Sequence, residues 1–270
     1  MEVEKDEARP SRPTLHAAIS GTAGPAVVLL HGFGGGSAVW EDIARRLASN
    51  HIAIAYDLPG HGLSVDYPGY GPPKTAARAV IDDIRSRGLA AVHLVGHSMG
   101  GAIATLAAYG APDLIASLTL IAPGGMGEEI NAPLLRRFGA AHEADQIAAC
   151  LREMSGPDAG DIAAAATALA RVRLTSEQRR ALVAISELIT KDGLQGAFPP
   201  EMLASLSMPV TVLWGDGDAV LPFHQTSNLP PRFDIRALPG AGHMLVEETP
   251  DAIIDAILER TATAAGNRAD

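Results

Sequence analysis

Val95-Gly96-His97-Ser98-Met99-Gly100-Gly101 follows the apolar run Ala90-Ala91-Val92-His93-Leu94 and precedes an alanine-rich segment of helical pattern. This arrangement predicts a strand, a sharp turn and a helix, with Ser98 at the corner. A serine held there has a strained backbone, and Gly96 and Gly100 leave room where a Cβ would strike the neighbouring strand and helix. The hydroxyl is thereby lifted clear of the sheet. The helix starting at Ser98 also aims N–H groups, and the positive end of its dipole, at any oxygen the serine attacks.

The rest of the chain alternates strand and helix patterns, which predicts an α/β domain with a mostly parallel sheet covered on both faces. Strands are expected at 14–21 (an edge strand), 26–30, 52–56, 114–122, 208–214 and 233–238. Between them, Ser37 stands where it would cap a helix carrying Trp40, Ile43, Ala44 and Leu47 on one face. A second helix is expected over 74–87. A last one has Thr249 as its cap, Pro250 at its first position and a buried stripe of Ile253, Ile254, Ile257 and Leu258, followed by a frayed tail.

From 124 to 200 strand signals vanish and alanine, arginine and glutamate rise, so we expect a core of 14–123 and 201–262 interrupted by a helical cap. Thr175 and Gln178 have capping-box spacing there, with Leu182, Ile185 and Ile189 along one face. Above the carboxyl edge of the sheet, such a cap would shape the substrate site and exclude water. Met126, Leu134, Leu135 and Phe138, together with Phe33, Val220 and Met244, are the candidate pocket wall.

The loop His31-Gly32-Phe33-Gly34-Gly35-Gly36 lacks the spacing of a dinucleotide fingerprint and the Lys-Ser/Thr of a P-loop. Its expected role is to supply an oxyanion donor, with Phe33 N–H and Met99 N–H converging on one oxygen. His31 then braces the loop. In Asp57-Leu58-Pro59-Gly60-His61-Gly62-Leu63-Ser64, the Asp, His and Ser lie too close for a second triad, so Asp57 is expected to brace the loop and His61 to lie at the rim. Ser98, Asp218 and His243 each fall just past a predicted strand, where functional groups of such sheets collect. A hydroxyl is a weak nucleophile until a base takes its proton, so His243 is the candidate base and Asp218 the carboxylate that orients it. Asp216 competes for the acid role, but Gly215-Asp216-Gly217 reads as the exit turn of its strand.

His31-Gly32-Phe33-Gly34, Gly96-His97-Ser98-Met99-Gly100, Trp214-Gly215-Asp216-Gly217-Asp218 and Gly240-Ala241-Gly242-His243 together resemble the α/β-hydrolase superfamily over about 14–262. Asp57-Leu58-Pro59-Gly60-His61-Gly62 is similar to a loop many members carry. Within the superfamily, the stretch from Ile121 to Asn131 resembles the start of the cap in the hydrolase-like domain of acetoin-cleaving-system acetyltransferases, and less closely that of meta-cleavage C–C hydrolases. No lipoyl domain is seen, so a stand-alone relative is expected. His97 and Met244 stand where the C–C hydrolases usually carry asparagine and tryptophan. The resemblance implies a serine hydrolase acting on a small-molecule carboxylic ester of short to medium acyl chain, with no cofactor and no metal. C–C cleavage of a diketone-like substrate and a non-catalytic ligand receptor are the alternatives. Ser98 is not the carboxylate nucleophile of a dehalogenase.

Composition narrows the partners. With 21 Lys and Arg against 31 Asp and Glu, net charge −10, and no basic run longer than a pair, nucleic acid is not an expected partner. Residues 1–13 are charged and proline-punctuated, without the apolar core of a secretion signal, and are expected to form a flexible tail. No stretch reaches the ~18 apolar residues of a membrane span. Cys150, the only cysteine, permits no internal disulfide and fits a cytoplasmic setting. A monomer or homodimer is expected.

Overall fold

The computed structural model describes residues 13–157 and 159–266, so nearly all of the expected flexible tail lies outside the described residues. The chain runs β1 (Ala17–Ser20), β2 (Ala26–Leu30), α1 (Glu41–Leu47), β3 (Ile52–Tyr56), α2 (Pro73–Ser86), β4 (Val92–His97), α3 (Met99–Gly110) and β5 (Ile115–Ile121). Helices alone follow: α4 (Ala132–Ala140), α5 (Ala144–Met154), α6 (Ile162–Val172), α7 (Ser176–Ile189) and α8 (Pro200–Ala204). The sheet resumes with β6 (Val210–Gly215) and β7 (Asp234–Leu238), and α9 (Leu245–Glu248) and α10 (Pro250–Gly266) close the chain.

The seven strands lie in the order β1-β3-β2-β4-β5-β6-β7. All neighbours are parallel except β1, which pairs antiparallel with β3 at the edge. The central strands are apolar and buried along nearly their whole length, as in β2, where Val27 to Leu30 are fully buried. Covering both faces removes any reason for alternation. The strand order reverses around β2, with β3 on one side and β4 on the other, opening a crevice at the carboxyl ends of β2 and β4.

Three local expectations are corrected. Ser37 heads a 3₁₀ turn (Ser37–Trp40) before α1 without capping through its side chain, and its N–H instead donates to Asp57 Oδ1 at 2.6 Å. Thr175 accepts from Gln178 N–H at 3.1 Å, but the Gln178 amide does not close a capping box; it donates to Gly60 O at 3.0 Å, tying α7 to the core. In α10, Leu258 is 41% exposed, Ala256 joins Ile253, Ile254 and Ile257 in the buried face, and the helix persists to Gly266 where a frayed tail was expected.

Candidate active site

β4 delivers Ser98 with φ +52° and ψ −117°, a conformation costing a non-glycine residue about 1–3 kcal/mol. Its neighbours hold it there. Ser98 N–H donates to Ile121 O at 2.9 Å, and Ser98 O accepts from Gly101 at 2.9 Å and Gly124 at 3.0 Å. A Cβ on Gly96 would lie 2.3 Å from Gly100 O, and one on Gly100 would lie 2.4 Å from Leu30 O. The two glycines thus let β4 touch α3 and let α3 touch the end of β2.

His243, past β7, lies with Nε2 2.9 Å from Ser98 Oγ and Nδ1 2.8 Å from Asp218 Oδ2. Asp218 in turn accepts from Val220 N–H and Leu221 N–H, both at 2.8 Å, and from Trp214 Nε1 at 3.2 Å. Four donors therefore fix one buried carboxylate. Asp216 is exposed and accepts from Gly240 N–H at 2.7 Å, so it steadies the loop before the histidine and does not meet the imidazole.

Three further histidines lie buried around this line. His97 donates from Nε2 to His243 O at 2.8 Å, and burial pushes its pKa down to about 3, keeping it neutral. His31 accepts Leu58 N–H at Nε2 (3.0 Å) and donates to Gly32 O (2.7 Å), so it braces the glycine loop from below. His61 is not at the rim: it is fully buried, with Nε2 accepting Gly34 N–H at 3.1 Å and a pKa lowered by burial to about 3. Its loop folds beneath the glycine loop, and a neutral imidazole is the acceptor that Gly34 N–H needs there. Burial raises the Asp57 carboxyl, but N–H donation from Ser37 and Leu63 outweighs it and leaves the group below its ordinary value.

Gly32 packs against Ser98, since a Cβ there would stand 3.3 Å from Ser98 Cβ. Among the described residues, neither Phe33 N–H nor Met99 N–H donates to a protein acceptor. Ser98, His97 and His243 open into a cavity of about 990 Å³ between the core and α4–α7. Phe33, Leu135, Phe138 and Met244 line it, and the Phe33 and Phe138 rings meet edge to face at 6.1 Å. Met126, Leu134 and Val220 are buried outside its lining. Successive residues of α4 point about 100° apart, so Leu135 faces the cavity and Leu134 does not. Val220 is held by its N–H to Asp218, and Met126 sits in the turn after β5 with its carbonyl bound by Asn228.

The helical segment is fastened to the site at two points. Arg173, at the end of α6, donates to Phe138 O and Ala141 O, each at 2.7 Å, and to Gly34 O in the glycine loop at 3.2 Å. Met154 O accepts His243 N–H at 2.7 Å, and Glu248 Oε2 accepts both Gly156 N–H (2.9 Å) and Gly242 N–H (2.8 Å). His97, Arg173, Glu248 and Trp214 are site residues that sequence reasoning missed. Only His97 and Trp214, flanking the serine and the acid loop, left a signal there. Among the described residues, no group of three or more His, Cys, Asp or Glu side chains is arranged to hold a metal ion.

A parallel sheet with a serine corner after β4, an acid after β6 and a histidine after β7 defines an α/β-hydrolase, and the chain belongs to the alpha/beta hydrolase family, whose model matches residues 27–256. It is 32% identical over 241 residues to the dihydrolipoyllysine-residue acetyltransferase component of the acetoin cleaving system of Pseudomonas putida, covering 87% of this chain and 63% of that protein. The chain thus spans less than two thirds of that relative. It is 31% identical over 212 residues to the pimeloyl-(acyl-carrier protein) methyl ester esterase of Methylococcus capsulatus (74% of this chain, 78% of that one). Among solved structures, the 2-hydroxy-6-oxo-6-phenylhexa-2,4-dienoate hydrolase of Rhodococcus sp. strain RHA1 shares the fold, with TM-score 0.78, 24% identity and coverage of 91% and 94%.

Proposed function

We propose that this hydrolase is a carboxylesterase in which Ser98 is the nucleophile, His243 the general base and Asp218 the residue orienting it. The observation that carries this reading is the unbroken hydrogen-bonded line Ser98–His243–Asp218. Ser98 Oγ bonds to the ester carbonyl carbon while its proton passes to His243 Nε2. The imidazolium then protonates the departing alkoxide, and water activated by the same nitrogen releases the acid. Phe33 N–H and Met99 N–H are the donors proposed for the oxyanion, with α3 adding its positive end. The helices between β5 and β6 act as the cap over this reaction, and the single buried cysteine suits a cytoplasmic enzyme.

C–C cleavage is the second reading, because the Rhodococcus neighbour acts on a dienoate. The cavity disfavours an anion of that kind: Asp42, Asp57, Asp66 and Asp161 line it against Arg171 alone among Lys and Arg, while burial raises the Glu247 carboxyl to about 7. An uncharged ester meets no such repulsion. The test is hydrolysis of p-nitrophenyl esters by wild type and Ser98→Ala. Turnover lost by about 10⁴-fold or more, with the fold intact by circular dichroism, is the expected result. Ester hydrolysis that survives the substitution overturns the assignment.

A further inference from the structure

We propose that the acyl group this enzyme accepts is a long aliphatic chain, lying along the face of α6 that lines the active-site cavity. The proposal rests on the esterase reading and deepens it beyond the short to medium chains expected from sequence. Ile162, Ala165, Leu169 and Val172 are spaced by three, four and three residues, which places them on one face of α6. All four line the same cavity as Ser98 and His243. They stay only partly covered by protein: Ala166 is the one buried residue of α6, and Val172 is 46% exposed. At 1.5 Å per residue the stripe runs about 15 Å.

The core supplies matching surface, with Val39 and Leu63 lining the cavity and Leu63 77% exposed. Aliphatic side chains left open to this extent, in a cleft that leads to a nucleophile, mark a ligand surface. Their chemistry selects the ligand. The four side chains of the stripe carry no aromatic ring and no hydrogen-bonding group, the polar Asp161 and Arg171 lying only at its two ends, so along its length it offers a flexible alkyl chain dispersion contacts and an aromatic or polar acyl group no specific partner. The cavity's two phenylalanines, Phe33 and Phe138, belong to the glycine-loop end.

Alkyl fluorophosphonates test the groove without needing turnover: Ser98 Oγ bonds to phosphorus, the P–F bond breaks, fluoride leaves and the proton goes to His243. Labelling rates are measured for ethyl to decyl probes, beside hydrolysis of p-nitrophenyl acetate to dodecanoate. The labelling rate is expected to rise about fourfold per methylene over several methylenes, equivalent to ~0.8 kcal/mol per buried CH₂. Ala165→Trp, which fills the groove, is expected to cut the decyl-to-ethyl ratio at least tenfold. Val172→Ser, at an exposed position that tolerates change, is expected to lower it by about threefold. A flat wild-type series overturns the proposal, as does a ratio unchanged in both variants. Length-dependent labelling with no ester hydrolysed keeps the groove and removes the esterase reading; ester hydrolysis with flat labelling does the reverse.

Discussion

Arg173 Nη2 donates to Gly34 O at 3.2 Å, so a cation at the end of α6 touches the loop proposed to stabilise the oxyanion. Its other nitrogen holds the carboxyl end of α4, and the guanidinium lies 4.3 Å over the Phe138 ring. Among the described residues no carboxylate pairs with it. Burial lowers its pKa to about 10, which still leaves it charged at neutral pH. Three backbone carbonyls and an aromatic face thus replace the counter-ion.

Arg173→Met is therefore expected to leave three carbonyl oxygens without their donor, at about 1–3 kcal/mol for each one that water cannot reach. We expect an overall loss near 3 kcal/mol by urea denaturation, with a fall in kcat larger than the change in KM. Arg173→Lys is expected to recover only part of this, since one ammonium cannot fork to carbonyls lying in two directions. Wild-type stability and kcat in Arg173→Met would show that the strut does neither job.

Glu248 acts on the other side of the site. Its carboxylate accepts Gly242 N–H and Met244 N–H, the residues flanking His243, as well as Gly156 N–H from the segment between α5 and α6. In Glu248→Gln one oxygen becomes an NH₂ that faces an N–H, so at least one charge-assisted bond is lost. We expect kcat to fall about tenfold, ~1.4 kcal/mol in the transition state, with KM changed less than twofold. An unaltered kcat in a stably folded variant would sever Glu248 from the placement of His243.

These contacts explain what could be read from the chain and what could not. The glycines beside Ser98, and the order of serine, acid and histidine, were legible because a strained corner and a hydrogen-bonded serine–histidine–carboxylate line tolerate few residue types. Arg173 and Glu248 bind backbone groups, which any sequence supplies, so nothing at Gly34 or Gly156 pointed to them. His61 looked like a rim residue because its loop is rich in glycine and proline; only the fold shows that loop tucked under Gly34. Leu135 and Leu134 were indistinguishable until α4 was docked on the core and turned one of them toward the cavity.

Buried neutral histidines make the fold acid-sensitive. Burial lowers His61 and His97 to about 3, against about 6.5 in an unfolded chain, so the folded state binds fewer protons between those values. Their contribution is fully present above pH ~6.5 and is lost as pH falls toward 3, at about 1.4 kcal/mol per pH unit for each histidine. His61→Gln keeps an acceptor for Gly34 N–H and removes one titration. Urea unfolding between pH 6 and 4.5 is expected to show a slope lower by about 1.4 kcal/mol per pH unit than wild type. An identical slope would mean that His61 takes up its proton without opening the fold.

The serine corner gives the sharpest contrast between two glycines. At Gly100 an added Cβ would stand 2.4 Å from Leu30 O and 2.5 Å from His31 O, backbone atoms that cannot swing aside. Relief requires α3 to retreat from β2, carrying Ser98 away from His243 and the glycine loop. Overpacking alone costs about 1–3 kcal/mol, so Gly100→Ala is expected at or above the top of that range, with fluorophosphonate labelling slowed at least a hundredfold. Gly196 has open space around its Cβ position and no left-handed backbone, and Gly196→Ala is expected to stay within about 0.5 kcal/mol of wild type. Thermal unfolding and probe labelling of both variants check the pair: a Gly100→Ala protein that matches Gly196→Ala in both would show that the approach of α3 to β2 neither limits stability nor sets the position of Ser98.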